Sequence, residues 1–340
     1  MTHTVRSQGG RRARPRGPRG GERAPTFSHA EIREFHRVSC GSPFSVLNDA
    51  QRLFLLQITT GLKRSGVVDG LHRKDKALIG ALRGLASRCG LTSAVLDAGR
   101  LFKVFVSREP RDARELARLY EVPCEESGTT SLARERALVR RRGELLGYPS
   151  CCVARFLLNP GLTFFERFAR LLGGLGDKPG FVSFNPLLNF LSGAPLIFHI
   201  PCSKDCKASL HSAHAALGLY YLYDASVAQK LLSLLRSPVI IFQDDYWCRM
   251  SGIFSRDVLR YVYLGMVDSN TVEGKRGARD RRYILETFRA LRRGDRLVFL
   301  GDRFRVLKGG RQLRAHAFRA WPYAMFVPDP PGPRNRPVPR

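Results

Sequence analysis

The residues best suited to chemistry lie in two short cysteine motifs. Cys151 and Cys152 follow Gly147-Tyr148-Pro149, and Cys202 and Cys206 close the stretch His199-Ile200-Pro201-Cys202-Ser203-Lys204-Asp205-Cys206. Proline suits a helix start, because the amide it lacks would have no partner there. Ser203 is a good N-cap, which predicts Cys206 at the third helical position and Cys202 just outside. Thiols at helix mouths ionise more easily, since unpaired amides and the positive end of the helix dipole favour a thiolate. Arg134, Arg136, Arg140, Arg141, Arg142, Arg155, Lys204 and Lys207 would act in the same sense if they faced the site.

Four sulfurs, or three with His199, could complete a tetrahedral metal site or hold a cluster. Neighbouring helical residues point about 100° apart, so one of Cys151 and Cys152 is expected to reach a single ion. A multi-iron cluster could use both. That reasoning ranks an iron–sulfur cluster first and zinc second, and the Cys-x3-Cys spacing also departs from the usual zinc knuckle. Two other readings of these residues stay open: a thiol enzyme with Cys202 or Cys206 as nucleophile and His199 as base, and a redox-active Cys202–Cys206 pair.

The remaining candidates are weaker. Cys40, Cys89 and Cys124 read as small buried hydrophobes, and Cys248 beside Trp247 reads as packed. Asp244 and Asp245 could hold a divalent cation or act as acid and base, although a solvated turn explains them as well. His211 and His214, three apart on one helix, read as surface or partly buried histidines rather than ligands or bases. The apolar stretch 181–200, with Asn185, Pro186 and Asn189, reads as core rather than pocket lining.

The pattern Gly147-Tyr148-Pro149-Ser150-Cys151-Cys152-Val153 with His199-Ile200-Pro201-Cys202-Ser203-Lys204-Asp205-Cys206 resembles an uncharacterised prokaryotic family that shares a GYPxCCV…HxPCSxxC signature. The likeness covers about residues 140–220. It implies that the four cysteines and His199 form one site, without naming a reaction. Adjacent cysteines followed by a distant pair also resemble the CCG domains that hold non-cubane iron–sulfur clusters, although Val153 stands where their glycine would be.

At 340 residues and 44% hydrophobic content the chain can build a sizeable core. No secretory block is visible, and the most apolar region is broken by Asn and Pro, so neither a membrane span nor a membrane partner is expected and a cytoplasmic location follows by default. The net charge of +28 points to a polyanion such as RNA. Two Pro- and Arg-rich tails carry +6 (residues 1–25) and +2 (328–340), leaving +20 on the body. Only ten of the basic residues are Lys, a skew that codon bias alone can produce. No phosphate-binding loop, dinucleotide fingerprint, radical-cluster motif or His-Glu-x-x-His is present.

Apolar periodicity predicts helices over 46–62, 75–89, 113–120, 133–146, 164–172, 204–222, 226–235 and 282–291. Strands are expected at 101–106, 239–242 and 324–327, with a hairpin over 296–307. The expected class is α+β. It comprises a disordered tail at 1–26, a mostly helical domain at 27–236 carrying the cysteines, a small α+β domain at 237–327 and a second tail at 328–340.

Overall fold

A computed structural model describes residues 28–99, 101–121, 132–158, 196–203, 206–235, 237–242, 246–255, 257–268, 278–300, 303–317 and 324–327, with short pieces at 162, 167 and 180–181. Both tails, the helix expected at 164–172, most of 181–195, Cys124, Lys204, Asp244 and Asp245 lie outside the described residues. The class is α+β.

Helix α1 (His29–Cys40) opens at Ser28, whose hydroxyl accepts from the Glu31 amide. Helix α2 (Asp49–Thr59) opens with a reciprocal Asn48/Gln51 capping box. Between and after helices lie three strands that form an antiparallel sheet in the order β1-β3-β2: β1 (Ser65–His72), β2 (Thr92–Asp97) and β3 (Leu101–Ser107). Only β3 was legible in the sequence. The other two are edge strands, and β1 is interrupted by an irregularity between Val68 and Leu71, which breaks the two-residue alternation.

Strand β3 is the hinge of the first half. Its side chains alternate between two faces: Val104 and Val106 join a large core with Leu53, Leu55, Ile58, Leu219 and Tyr220, while Phe105 packs against Leu116, Leu145 and Leu146. Leu116 belongs to helix α4 (Pro110–Glu121), after α3 (Lys76–Arg88), and Leu145 ends helix α5 (Leu132–Leu145). The two-sided burial of β3 therefore fixes where α5 stops, and the first cysteine motif begins there.

Helix α6 (Ser150–Leu157) packs back on α5. The approach is close: a Cβ on Gly143 would stand 2.6 Å from Val153 Cγ2. Gly143→Ala is expected to lose about 1–3 kcal/mol through overpacking; urea unfolding of the variant against wild type measures it, and an unchanged midpoint would contradict the contact.

A short strand β4 (Gly180–Phe181) precedes helices α7 (Lys207–Tyr223) and α8 (Ala225–Leu235). The second half is built on an eight-stranded sheet, ordered β10-β9-β8-β7-β6-β5-β11-β4. Its strands are β5 (Val239–Phe242), β6 (Tyr246–Ser255), β7 (Val258–Asp268), β8 (Arg296–Phe299), β9 (Arg303–Lys308), β10 (Arg311–Ala317) and β11 (Ala324–Val327). One face is covered by helix α9 (Ala278–Arg293), whose Ile284, Phe288 and Leu291 pack with Leu259, Leu297, Phe304 and Val306. The long β6–β7 hairpin and β10 were not foreseen, because polar residues and glycines interrupt their apolar pattern.

Candidate metal centre

The Gly-Tyr-Pro that precedes the first cysteine pair is a helix stop followed by a helix start. The Gly147 amide donates to the Glu144 carbonyl, the Tyr148 amide donates to the Gly143 carbonyl, and Gly147 has φ +70°. These are the two bonds of a Schellman ending, which needs a residue tolerant of the left-handed region. Pro149 then caps α6, and the amides of Cys152 and Val153 both donate to its carbonyl. Cys151 and Cys152 occupy the first turn.

The helix of the second motif starts three residues later than its sequence suggests. Cys206, not Ser203, is the N-cap of α7, and its amide closes a tight turn onto the Ser203 carbonyl at 3.2 Å. The turn brings Cys202 back toward the helix mouth. The Ser203 carbonyl accepts the Cys206 amide where the Ser203 hydroxyl was expected to.

The four sulfur atoms of Cys151, Cys152, Cys202 and Cys206 lie within 4.8 Å of one another. Cys152 Sγ is 3.6 Å from Cys206 Sγ, Cys151 Sγ is 3.8 Å from Cys206 Sγ, and the adjacent Cys151 and Cys152 sulfurs are 3.9 Å apart. The expectation that only one of the adjacent pair could reach a common point is therefore corrected. The 100° between neighbouring positions describes where the side chains leave the helix, and rotation about χ1 in the open first turn turns both sulfurs toward the α7 mouth. Cys152 and Cys206 are buried, Cys202 is half-buried and Cys151 is exposed. Such a group can hold a metal ion.

His199 is not part of the converging set. Its Nε2 lies 2.8 Å from Ser209 Oγ, and Ser209 Oγ lies 3.3 Å from both Cys206 Sγ and Cys152 Sγ. A thiolate can only accept hydrogen bonds. With the sulfurs ionised, the Ser209 hydroxyl donates to sulfur and the His199 Nε2–H donates to Ser209. His199 thus reaches sulfur through a hydroxyl, whether the reading is ligand or base. Burial, with the Lys63 charge nearby, pushes its imidazole down to about 4, so it stays neutral.

The thiols differ. Burial raises Cys206, but hydrogen bonds from the Ser209 hydroxyl and amide and from the neighbouring thiols outweigh it, pulling the group down to about 6. Burial pushes Cys202 up to about 11 and holds Cys152 well above the usual thiol range, although the Ser209 hydroxyl and the Cys202 amide both bond the Cys152 sulfur. Among Cys152, Cys202 and Cys206, the Cys206 sulfur is the one poised to carry negative charge.

Two contributors escaped sequence reasoning. Ser209 had a signal, since it sits three residues after Cys206 and so on the same helix face. Lys63 had none. It is 7% exposed, its Nζ lies 3.4 Å from the Leu146 carbonyl, and it stands 4.2 Å and 5.1 Å from the ring centroids of Phe198 and Tyr148. Tyr148 in turn tilts against His199 at 5.3 Å.

Other expected contributors are elsewhere. Arg141 forms a bidentate pair with Glu115, and Arg142 donates to the Leu119 carbonyl and lies over Tyr120, so both tie α5 to α4. Arg134, Arg136, Arg140, Arg155 and Lys207 are exposed, as are His211 and His214 on α7. Cys248 is buried on β6, as expected of a packed thiol. Cys89 is only half-buried, and Cys40 is exposed, against the expectation of core packing, with its sulfur 3.7 Å from Tyr223 Oη.

No family model, curated protein or solved structure matches the chain. Among the described residues, no helix is long and apolar enough to cross a membrane.

Ser209→Ala is expected to leave the fold intact and to weaken metal binding about 10–100-fold, the usual effect of losing a group that bonds the ligands from behind. Competition against a chromophoric chelator measures it. Unchanged affinity would mean that the hydroxyl only fills space.

Proposed function

We propose that the chain binds one metal ion through Cys151, Cys152, Cys202 and Cys206, with zinc ahead of an iron–sulfur cluster, and that the ion fastens the α5–α6 hairpin to the mouth of α7. The sulfur spacing supports this reading. A tetrahedral ion with metal–sulfur bonds of about 2.3 Å has sulfur–sulfur edges of about 3.8 Å, beside separations here of 3.6, 3.8 and 3.9 Å. A cluster distributes its cysteines over several irons and spaces their sulfurs more widely. Four protein ligands also leave no position for substrate, which is the pattern of structural zinc sites. The amide and hydroxyl donors around Cys152 and Cys206 would spread the excess negative charge of a four-thiolate site. Anaerobic purification followed by zinc, iron and sulfide analysis tests the reading. One zinc per chain without acid-labile sulfide is expected. A brown, sulfide-containing protein would reverse the order of metals, and a folded chain that takes up neither would overturn the site.

We infer a second reading, RNA binding, from exposed arginines on the large sheet. Arg260 stands directly opposite Arg296, and Arg303 and Arg305 alternate on the exposed side of β9. Like charges placed opposite on adjacent strands are destabilising, and a phosphate backbone would offset that repulsion. Affinity for an RNA oligonucleotide is then expected to fall steeply with salt, and the double variant Arg260→Gln, Arg305→Gln to reduce the log–log slope by about 1–2. No binding at low salt would exclude it.

A further inference from the structure

We propose that Lys63 is the nucleophile of a small covalent site, which captures a short-chain aldehyde as an imine in the cavity walled by the end of α2, the turn at 146–148 and the 196–199 segment. This inference goes beyond the metal reading and does not depend on it.

The end of α2 delivers the residue. Gly61 takes φ +77° just after the helix, and the Lys63 amide donates back to the Gln57 carbonyl at 2.9 Å. That closing turn sends the side chain inward, where it is 7% exposed. Its Nζ lies 3.4 Å from the Leu146 carbonyl oxygen and 4.2 Å and 5.1 Å from the ring centroids of Phe198 and Tyr148. Lys63 is itself part of the cavity wall, together with Gln57, Tyr148, Phe198, His199 and Ser212. An amine held beside a void is placed to attack what enters it.

The surroundings also supply reactivity. Burial lowers the amine to about 7, so about half of it carries a free lone pair at neutral pH. An exposed lysine amine, near about 10.4, is almost wholly protonated there. The lone pair attacks the carbonyl carbon and a C–N bond forms. Both amine protons then leave with the carbonyl oxygen as water when the C–O bond breaks, and the product is C=N. No oxidant or reductant is consumed. The uncharged imine escapes the burial cost that the ammonium bears.

Charge and size select the partner. Ring faces and a carbonyl oxygen are electron-rich, so an anionic adduct such as a carbamate would be repelled. The cavity measures about 30 Å³, and one water needs roughly 10–15 Å³ of such space. About two water-sized groups fit, which matches an aldehyde of one or two carbons. An acyl donor would also have to seat its leaving group, whereas an aldehyde releases only water.

Acetaldehyde offered to the full, zinc-supplemented chain at pH 7, followed by brief borohydride reduction and peptide mass spectrometry, tests the inference. Lys63 is expected to be N-ethylated at least about tenfold faster than the exposed Lys74 and Lys230. Benzaldehyde, with the same chemistry and a larger body, should label the exposed lysines and spare Lys63. Ser212→Leu, which fills the cavity, should suppress acetaldehyde labelling of Lys63. The comparison of the two aldehydes on the unmodified protein stands even if that variant folds poorly. Lys63 labelling no faster than that of the exposed lysines, equal labelling of Lys63 by benzaldehyde, or labelling that persists in folded Ser212→Leu would overturn the proposal. Metal content measured on the same sample separates this failure from failure of the metal reading.

Discussion

Cys206→Ser protein is expected to be purified without stoichiometric metal and to melt well below wild type. Cys206 is central to the group, with its sulfur 3.6 Å from Cys152 and 3.8 Å from Cys151, and it caps α7 through its backbone. Its thiol is pulled down to about 6 while those of Cys152 and Cys202 are raised, so it supplies a charge that attracts a cation. Structural zinc contributes apparent binding free energies of about 10–16 kcal/mol, which in a site absent from the unfolded chain count as folding free energy. Losing one of four sulfurs should lower affinity by about a thousandfold or more. Serine keeps the size and the backbone cap, so the loss reports coordination rather than packing. Cys40→Ser and Cys89→Ser, away from the group, should retain the full metal content. Metal analysis and thermal melts with and without chelator give the readout. A Cys206→Ser protein that holds its metal, or a wild-type melt indifferent to chelation, would contradict the assignment.

The second large effect runs toward stability. Lys63→Met is expected to stabilise the fold at pH 6 by several kcal/mol, with the gain shrinking as pH rises. Burial pushes the Lys63 amine from 10.5 down to about 7. The folded state therefore binds fewer protons than the unfolded state between those values, and wild-type stability rises with pH across that window. Below about 7 the amine is charged in both states, and the folded chain bears the full cost of burying it. The contacts with the Leu146 carbonyl and the two rings only partly offset that cost. Methionine fills similar volume without charge. Denaturant titrations of both proteins at pH 6 and pH 10 measure the difference. A variant less stable than wild type at pH 6, or a gap that does not narrow by pH 10, would contradict a destabilising buried charge at Lys63.

Much of the site was legible along the chain. Gly147 followed by Tyr-Pro announces a helix end and a new helix start, and four sulfurs in two Pro-preceded motifs announce shared chemistry. The legibility failed at two kinds of detail. Backbone directions separate Cys151 and Cys152 on the helix, whereas sulfur positions depend on side-chain rotation. The Ser203 hydroxyl predicts a cap, whereas the turn closes through its carbonyl and leaves Cys206 at the cap.

By itself the sequence determined the α+β class, most of the helices and the identity of the four sulfurs, because these follow from local periodicity, proline and glycine conformations and residue chemistry. Tertiary structure decided that all four sulfurs meet, that His199 stands behind Ser209, that Arg141 and Arg142 serve α4, and that Lys63 is buried beside Tyr148. Each of these is a distance between segments far apart in the chain. Such distances are set by how β3 buries both its faces and how α7 packs on α2, and no local pattern encodes them.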